Sequence, residues 1–224
     1  IGRHREFSTM SGRKVGIRFI LSAMAAAAII GAGIRYIVDY QQQTGPVGIS
    51  GPVTTSGTAR IGGKFSMVDH KGRQVTDRDF HGKFTLIFFG YTFCPDICPT
   101  ELQTMSEVLD TLGADAEKIH PIFATIDPER DTAPVLADYL SNFHPRFTGL
   151  TGTAEQVADI TKSYGVFYSR VKSKNEPGQD EDYLMNHSSF IFLMDDAGKF
   201  RAAFRVGIAN KGMVRRIQNE LTKS

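Results

Sequence analysis

Phe84-Thr85-Leu86-Ile87-Phe88-Phe89-Gly90-Tyr91-Thr92-Phe93-Cys94-Pro95-Asp96-Ile97-Cys98-Pro99-Thr100 is the stretch on which the fold turns. It opens on a continuous apolar run closed by glycine, as expected of a strand buried on both faces and central in its sheet. Beyond Thr100 the pattern becomes helical, with Leu102, Met105, Val108, Leu109 and Leu112 spaced by three and four residues up to Gly113. A buried strand thus feeds a helix through a turn that carries both cysteines of the chain.

Upstream, Phe65 to Asp69 and Gln74 to Thr76 flank His70-Lys71-Gly72-Arg73, a hairpin with a glycine-bearing turn. Downstream, strands are expected over Ile119 to Ile126, Phe147 to Leu150, Val166 to Val171 and Ser188 to Met194. Helices are expected over Ala133 to Phe143 and Ala154 to Tyr164. Asp195-Asp196-Ala197-Gly198 turns into a last strand, Lys199 to Arg205, and Asn210 to Leu221 closes the chain as a helix. Early parallel crossovers followed by a late antiparallel hairpin predict an α/β domain with a mixed central sheet. With a cysteine pair at the mouth of its first strand-to-helix turn, that domain, residues 61–224, is expected to be thioredoxin-like.

The 224 residues hold 26 Lys+Arg against 24 Asp+Glu, two Cys and no Trp. Near-neutral charge argues against a nucleic-acid binder, and two cysteines exclude a disulfide-dense scaffold or a four-thiolate metal cage. The basic excess is confined to the start: residues 1–40 carry +4 and the remainder −2. Residues 1–9 precede Met10, which reads as a natural start. Phe19 to Ile34 is uncharged and rich in Ala and Ile, bounded by Arg18 and Arg35. It covers roughly 24 Å against a hydrocarbon core of about 30 Å, and snorkelling arginines with Tyr36 to Tyr40 extend it. A transmembrane anchor over residues 17–38 is therefore expected in preference to a cleaved signal peptide or a buried helix. Residues 1–16 would form a cytoplasmic basic segment, because Arg13, Lys14 and Arg18 precede the apolar run. Residues 39–60 have linker composition.

Three residues separate Cys94 from Cys98. A helix beginning at Pro95 would put both thiols on one side of its first turn, where the macrodipole favours the thiolate. That form binds metal and also attacks disulfides, so both chemistries stay open, beside a plain stapling disulfide. A metal on two thiolates calls for a third donor. His70, His81, His120 and His144 fall at turns or at the far strand end; His187 follows a polar loop, Lys172 to Leu184, and is the best candidate. Two thiolates and an imidazole suit Cu(I) and can also hold Zn(II); Met185 is better suited to core packing than to ligation. In Thr125-Ile126-Asp127-Pro128-Glu129-Arg130-Asp131-Thr132, Asp131 or Thr132 can cap the next helix. Asp127 is the candidate to accept a thiol proton or support a ligand.

Together, Phe88 to Leu102, Asp127 to Thr132, the hairpin Asp69-His70-Lys71-Gly72 and the run Asn186-His187-Ser188-Ser189 resemble the Sco/SenC family of copper-binding cytochrome c oxidase assembly proteins. The resemblance runs from about Ile61 to Leu221. It implies a thioredoxin-like fold and one copper ion, Cu(I) with Cu(II) as a second state, on Cys94, Cys98 and His187. It further implies a metallochaperone that receives copper from a donor protein and serves the binuclear copper site of oxidase subunit II. The alternative is a thiol-disulfide reductase, with Cys94 and Cys98 catalytic, that keeps the target cysteines reduced. Phe93 departs from the family, many of whose members have His before the first cysteine. The short basic N-terminus favours a bacterial inner membrane with a periplasmic domain over a mitochondrial inner membrane facing the intermembrane space.

Overall fold

The computed structural model describes residues 61–172 and 183–223, together with Gly33 and Arg35, both helical. The anchor expected over residues 17–38 otherwise lies outside the described residues. Among the described residues no helix is long and apolar enough to cross a membrane.

The chain begins with the hairpin β1 (Ser66–Asp69) and β2 (Gln74–Thr76), turned at Gly72. The Asp69 carboxylate organises the turn by accepting the backbone N–H groups of Lys71 and Arg73 and the Arg73 guanidinium. Next come β3 (Phe84–Gly90), α1 (Ile97–Leu112) and β4 (Ile119–Thr125), then α2 (Ala133–Leu140), β5 (Thr148–Thr151) and α3 (Ala154–Tyr164). The C-terminal part adds β6 (Tyr168–Lys172), β7 (Tyr183–His187), β8 (Phe190–Met194), β9 (Phe200–Arg205) and α4 (Asn210–Leu221). A seven-stranded sheet has the order β2-β1-β5-β4-β3-β8-β9. The strands β3, β4 and β5 run parallel while the outer pairings are antiparallel, so the sheet is mixed, as expected.

All residues of β3 are buried, which accounts for its unbroken apolar run. Phe88, Phe89 and Phe123 lie at the centre of the core with Leu102, Met105 and Leu109 of α1. The apolar stripe of α1 packs on this sheet, and its other flank meets α4.

Several strand ends shift by one or two residues, and four boundaries near the cysteines, the second helix and His187 bear on the site or its surroundings. Helix α1 starts at Ile97 with Asp96 as N-cap, so Cys94 precedes the helix instead of lying in its first turn. Helix α2 stops at Leu140 instead of Phe143; Pro145 disfavours helical backbone just ahead of it, and Asn142 uses its side chain on the carbonyls of Asp138 and Tyr139. The segment before His187, expected to be loop, is strand from Tyr183, paired with β6 in a two-stranded ribbon. His187 therefore ends β7, and β8 starts at Phe190. The signal was weak because β7 alternates Tyr183, Met185 and His187 on one side with Leu184 and Asn186 on the other, so only part of either face is apolar.

Register puts three chain segments at one edge of the sheet. Gly90 at the end of β3 pairs in parallel with Thr125 at the end of β4, so both chains leave the sheet on the same side. Strand β8 runs antiparallel to β3, with Phe88 opposite Ile191, so the residues entering β8 arrive at that edge. The cysteine turn, the 127–131 turn and His187 therefore converge, although they lie far apart in sequence.

Candidate metal centre

The cysteine turn leaves β3 through Gly90, where a side chain cannot fit: an added Cβ would lie 2.7 Å from Cys98 Sγ and 2.9 Å from Phe123 Cε2. Cys98, at the start of α1, is fully buried, whereas Cys94 is half-buried and both thiols are free. The Cys94 sulfur accepts the backbone N–H of Cys98 at 3.4 Å, taking one of the amides that every helix N-terminus leaves unpaired. That contact supplies the link to the helix expected from the sequence, even though Cys94 lies outside it.

His187 Nε2 stands 3.8 Å from Cys98 Sγ. Its Nδ1 lies 3.2 Å from the Ser188 carbonyl, which favours a proton on Nδ1 and leaves Nε2 as the lone-pair donor. Phe88 and Tyr91 meet the imidazole edge-on. The Cys94 thiolate is favoured first by a hydrogen bond from the Cys98 thiol and, against the opposing effect of burial, by His187 and the amides of Cys98 and Asp96; its pKa falls to about 3. The same pairing and deep burial push the Cys98 thiol up. The three side chains therefore present one thiolate, one thiol and one imidazole.

Among the described residues no three His, Cys, Asp or Glu side chains form a ready-made ligand group. What the fold assembles is a pair at metal-sharing distance with a second sulfur alongside. Donors about 2.3 Å (sulfur) and 2.0 Å (nitrogen) from one metal, at about 120°, are about 3.7 Å apart; Cys98 and His187 are separated by 3.8 Å. The residues thus fit a soft, low-coordinate ion. Cys94 and His187 border an open groove of about 270 Å³ with Tyr91, Ile97, Met185 and Ser189, while Cys98 lies buried behind it.

Asp131 does not cap α2. Its carboxylate reaches the cysteine turn, accepting Thr92 N–H at 3.0 Å and Thr92 Oγ1 at 2.6 Å, with Thr125 Oγ1 also at 2.6 Å. Burial raises its pKa against these bonds. Thr132 is the N-cap residue but contributes no side-chain bond. Asp127 is buried; its Oδ1 accepts the Tyr183 hydroxyl at 2.6 Å and its Oδ2 pairs with Arg130 Nε at 2.6 Å. It thereby supports the strand that carries His187. The other described histidines lie elsewhere: His70 Nδ1 accepts Gly149 N–H and His120 Nε2 meets Thr148 Oγ1. His144 faces Asp110, and His81 is exposed.

Sequence reasoning passed over Gly90, Tyr183 and Arg130 as parts of the site. Tyr183 is the one with a readable signal, an aromatic residue four before His187 and so on the same face of a strand. Gly90 and Arg130 act through contacts that no local pattern displays.

The SCO1/SenC family model matches residues 53–222. The chain belongs to the SCO1/SenC family. An SCO2-like protein of Rickettsia conorii is 36% identical over 208 residues, covering 92% of this chain and 100% of that one. Protein sco1 of Schizosaccharomyces pombe is 44% identical over 166 residues, 74% of this chain and 62% of that protein. Among solved SCO1/SenC relatives, Bradyrhizobium japonicum ScoI with copper bound superposes with a TM-score of 0.64 at 43% identity, covering 71% of this chain and 98% of that one. Yeast Sco1 with copper bound gives 0.67 at 40% identity, covering 73% and 90%. The fold is accordingly a thioredoxin-like α/β domain with a mixed sheet, as the cysteine turn implied.

Proposed function

We propose that this SCO1/SenC chain is a copper chaperone for cytochrome c oxidase assembly, holding one copper ion on Cys94, Cys98 and His187 and passing it to the binuclear copper site of subunit II. The 3.8 Å approach of Cys98 Sγ to His187 Nε2 carries the reading; the copper-bound relatives support it. Sulfur and imidazole donors favour Cu(I). The open groove leaves room for an incoming thiolate of the target to replace one ligand at a time, so that the ion is never released to water. In this reading residues 17–38 tether the domain to a bacterial inner membrane and keep it on the periplasmic side; an equivalent placement is the mitochondrial inner membrane, facing the intermembrane space.

The half-exposed Cys94 beside a buried Cys98 also favours a second reading, thiol-disulfide exchange. The Cys94 thiolate would attack a target disulfide and release one target thiolate. Cys98, losing its proton, would then attack the Cys94 sulfur of the mixed disulfide and free the second. The target gains two electrons and the domain ends as a Cys94–Cys98 disulfide, to be reduced again by an external dithiol.

Competitive Cu(I) titration of the reduced chain, beside Cys98→Ser and His187→Ala, separates the two. The chaperone reading expects one equivalent bound tightly, lost in the cysteine variant and weakened in the histidine variant. Weak binding indifferent to His187 overturns it in favour of exchange.

A further inference from the structure

The ribbon of β6 and β7 stands apart from the main sheet, and two strands alone hold their position poorly. Its His187 end runs directly into β8 and is pinned by Ser188 N–H on the Phe167 carbonyl. Its other end has a different fastening. The Tyr183 ring lies between two guanidinium groups, with Arg130 Cζ 3.6 Å and Arg170 Cζ 3.9 Å from its centroid. Its hydroxyl donates to Asp127, and its carbonyl accepts Arg130 Nη1 at 3.1 Å. Arg130 is also paired with Asp127 and sits over Phe93, just before Cys94. Arg170 is held in turn by Glu129.

One turn, residues 127–131, therefore grips both halves of the metal centre. Asp131 holds the cysteine side through Thr92. Asp127 and Arg130 hold the histidine side through Tyr183. Tyr183, Met185 and His187 share the inward face of β7, so fixing Tyr183 limits how far the strand can swing about Ser188 and Ser189. Held in this way, the strand presents His187 to Cys98, with Nε2 3.8 Å from Sγ.

We infer that Tyr183, sandwiched by Arg130 and Arg170 and tied to Asp127, is a positioning residue that holds His187 against the cysteines and so sets how readily copper leaves. This rests on the copper-chaperone reading, in which His187 is a ligand.

The test uses the full reduced chain loaded with Cu(I), with transfer to a chromophoric Cu(I) chelator followed by stopped flow. Tyr183→Leu removes both stacking and hydroxyl, and Tyr183→Phe only the hydroxyl. Supporting groups around a metal typically change affinity by about 10–100-fold when removed, so Tyr183→Leu is expected to speed release by about tenfold or more and Tyr183→Phe by less. In a His187→Ala background Tyr183→Leu should add nothing, because the ligand it positions is gone. In the copper-free chain, amide exchange across Tyr183–His187 should rise in Tyr183→Leu while α1 stays protected. Unchanged release in Tyr183→Leu, with His187→Ala fast, overturns this inference alone. Equal acceleration with and without His187 also overturns it, by showing general damage. Release indifferent to His187→Ala itself instead refutes the ligand reading beneath it.

Discussion

Gly90→Ala is the substitution for which the structure makes the sharpest demand. The new Cβ would lie 2.7 Å from Cys98 Sγ, 2.9 Å from Phe123 Cε2 and 3.3 Å from Phe88 Cε1. Ordinary non-bonded contact begins at about 3.5 Å, so the sulfur would have to retreat by about 0.8 Å unless the strand moves. Strand β3 is buried throughout and paired on both sides, and both phenylalanines are fully buried in the core. Overpacking of this kind costs about 1–3 kcal/mol. At about 2–4 °C per kcal/mol for a domain of this size, a loss of about 2 kcal/mol lowers Tm by about 4–8 °C. A displaced Cys98 also spoils its spacing to His187. Sites need their groups held within about 0.5 Å, so Cu(I) affinity should fall by about tenfold or more. Gly149→Ala is the control: its Cβ meets Leu140 Cδ1 at 2.7 Å, with Leu136 and His70 as its next neighbours and neither cysteine among them. Thermal unfolding with competitive Cu(I) titration should show stability lost in both variants and affinity lost only in Gly90→Ala. An alanine at 90 that melts within a degree of the parent and binds copper unchanged refutes the argument that this glycine sets the sulfur's position.

Asp131→Ala leaves Thr92 N–H and two threonine hydroxyls short of an acceptor; urea unfolding should show a loss of about 2–3 kcal/mol, with faster amide exchange over residues 91–96. Glu101 is buried with Oε2 unpaired and Oε1 accepting Gly207 N–H, and burial raises its carboxyl above the ordinary 4.5. The stability linked to its protonated form is present below about pH 4.5 and is lost as pH rises through the raised value. Glu101→Gln keeps the acceptor for Gly207 and should flatten that decline, so urea midpoints taken from pH 4 to 8 that fall in parallel for both proteins would refute it. With Cys94 held as thiolate and half-exposed while Cys98 is a buried thiol, iodoacetamide at pH 6 should label Cys94 and spare Cys98. Mass spectrometry of tryptic peptides reads the ratio, and equal labelling would contradict the assigned asymmetry.

The strand and helix around the cysteines were legible because burial writes itself into local periodicity: seven buried positions in β3 give an apolar run, and one buried face of α1 gives a stripe at helical spacing. Helix α3 was equally plain, capped at Thr153 and ended by Gly165 in left-handed backbone. Strand β7 was not, because a ribbon half covered by one turn and otherwise open to solvent has no clean alternation to display. Asp131 misled for a related reason. An Asp just before a helix has two uses for its oxygens, local amides or a distant partner, and the sequence shows only the local one. Here the partner across the sheet edge, Thr92, lies 39 positions away.

What the sequence by itself determined is local: which segments alternate or run apolar, where glycine and proline interrupt them, and that two soft donors lie four positions apart at the entrance to a helix. The choice of His187 as their neighbour, 89 positions from Cys98, was narrowed by sequence but decided by register. The parallel pairing of β3 with β4 and its antiparallel pairing with β8 bring three loops to one edge of the sheet. Only the tertiary structure could show the contacts of Tyr183 with Asp127, Arg130 and Arg170 or the tight contact over Gly90, because both depend on atoms brought together by strand order, and strand order is set by the burial of the whole sheet, not by any one of its segments.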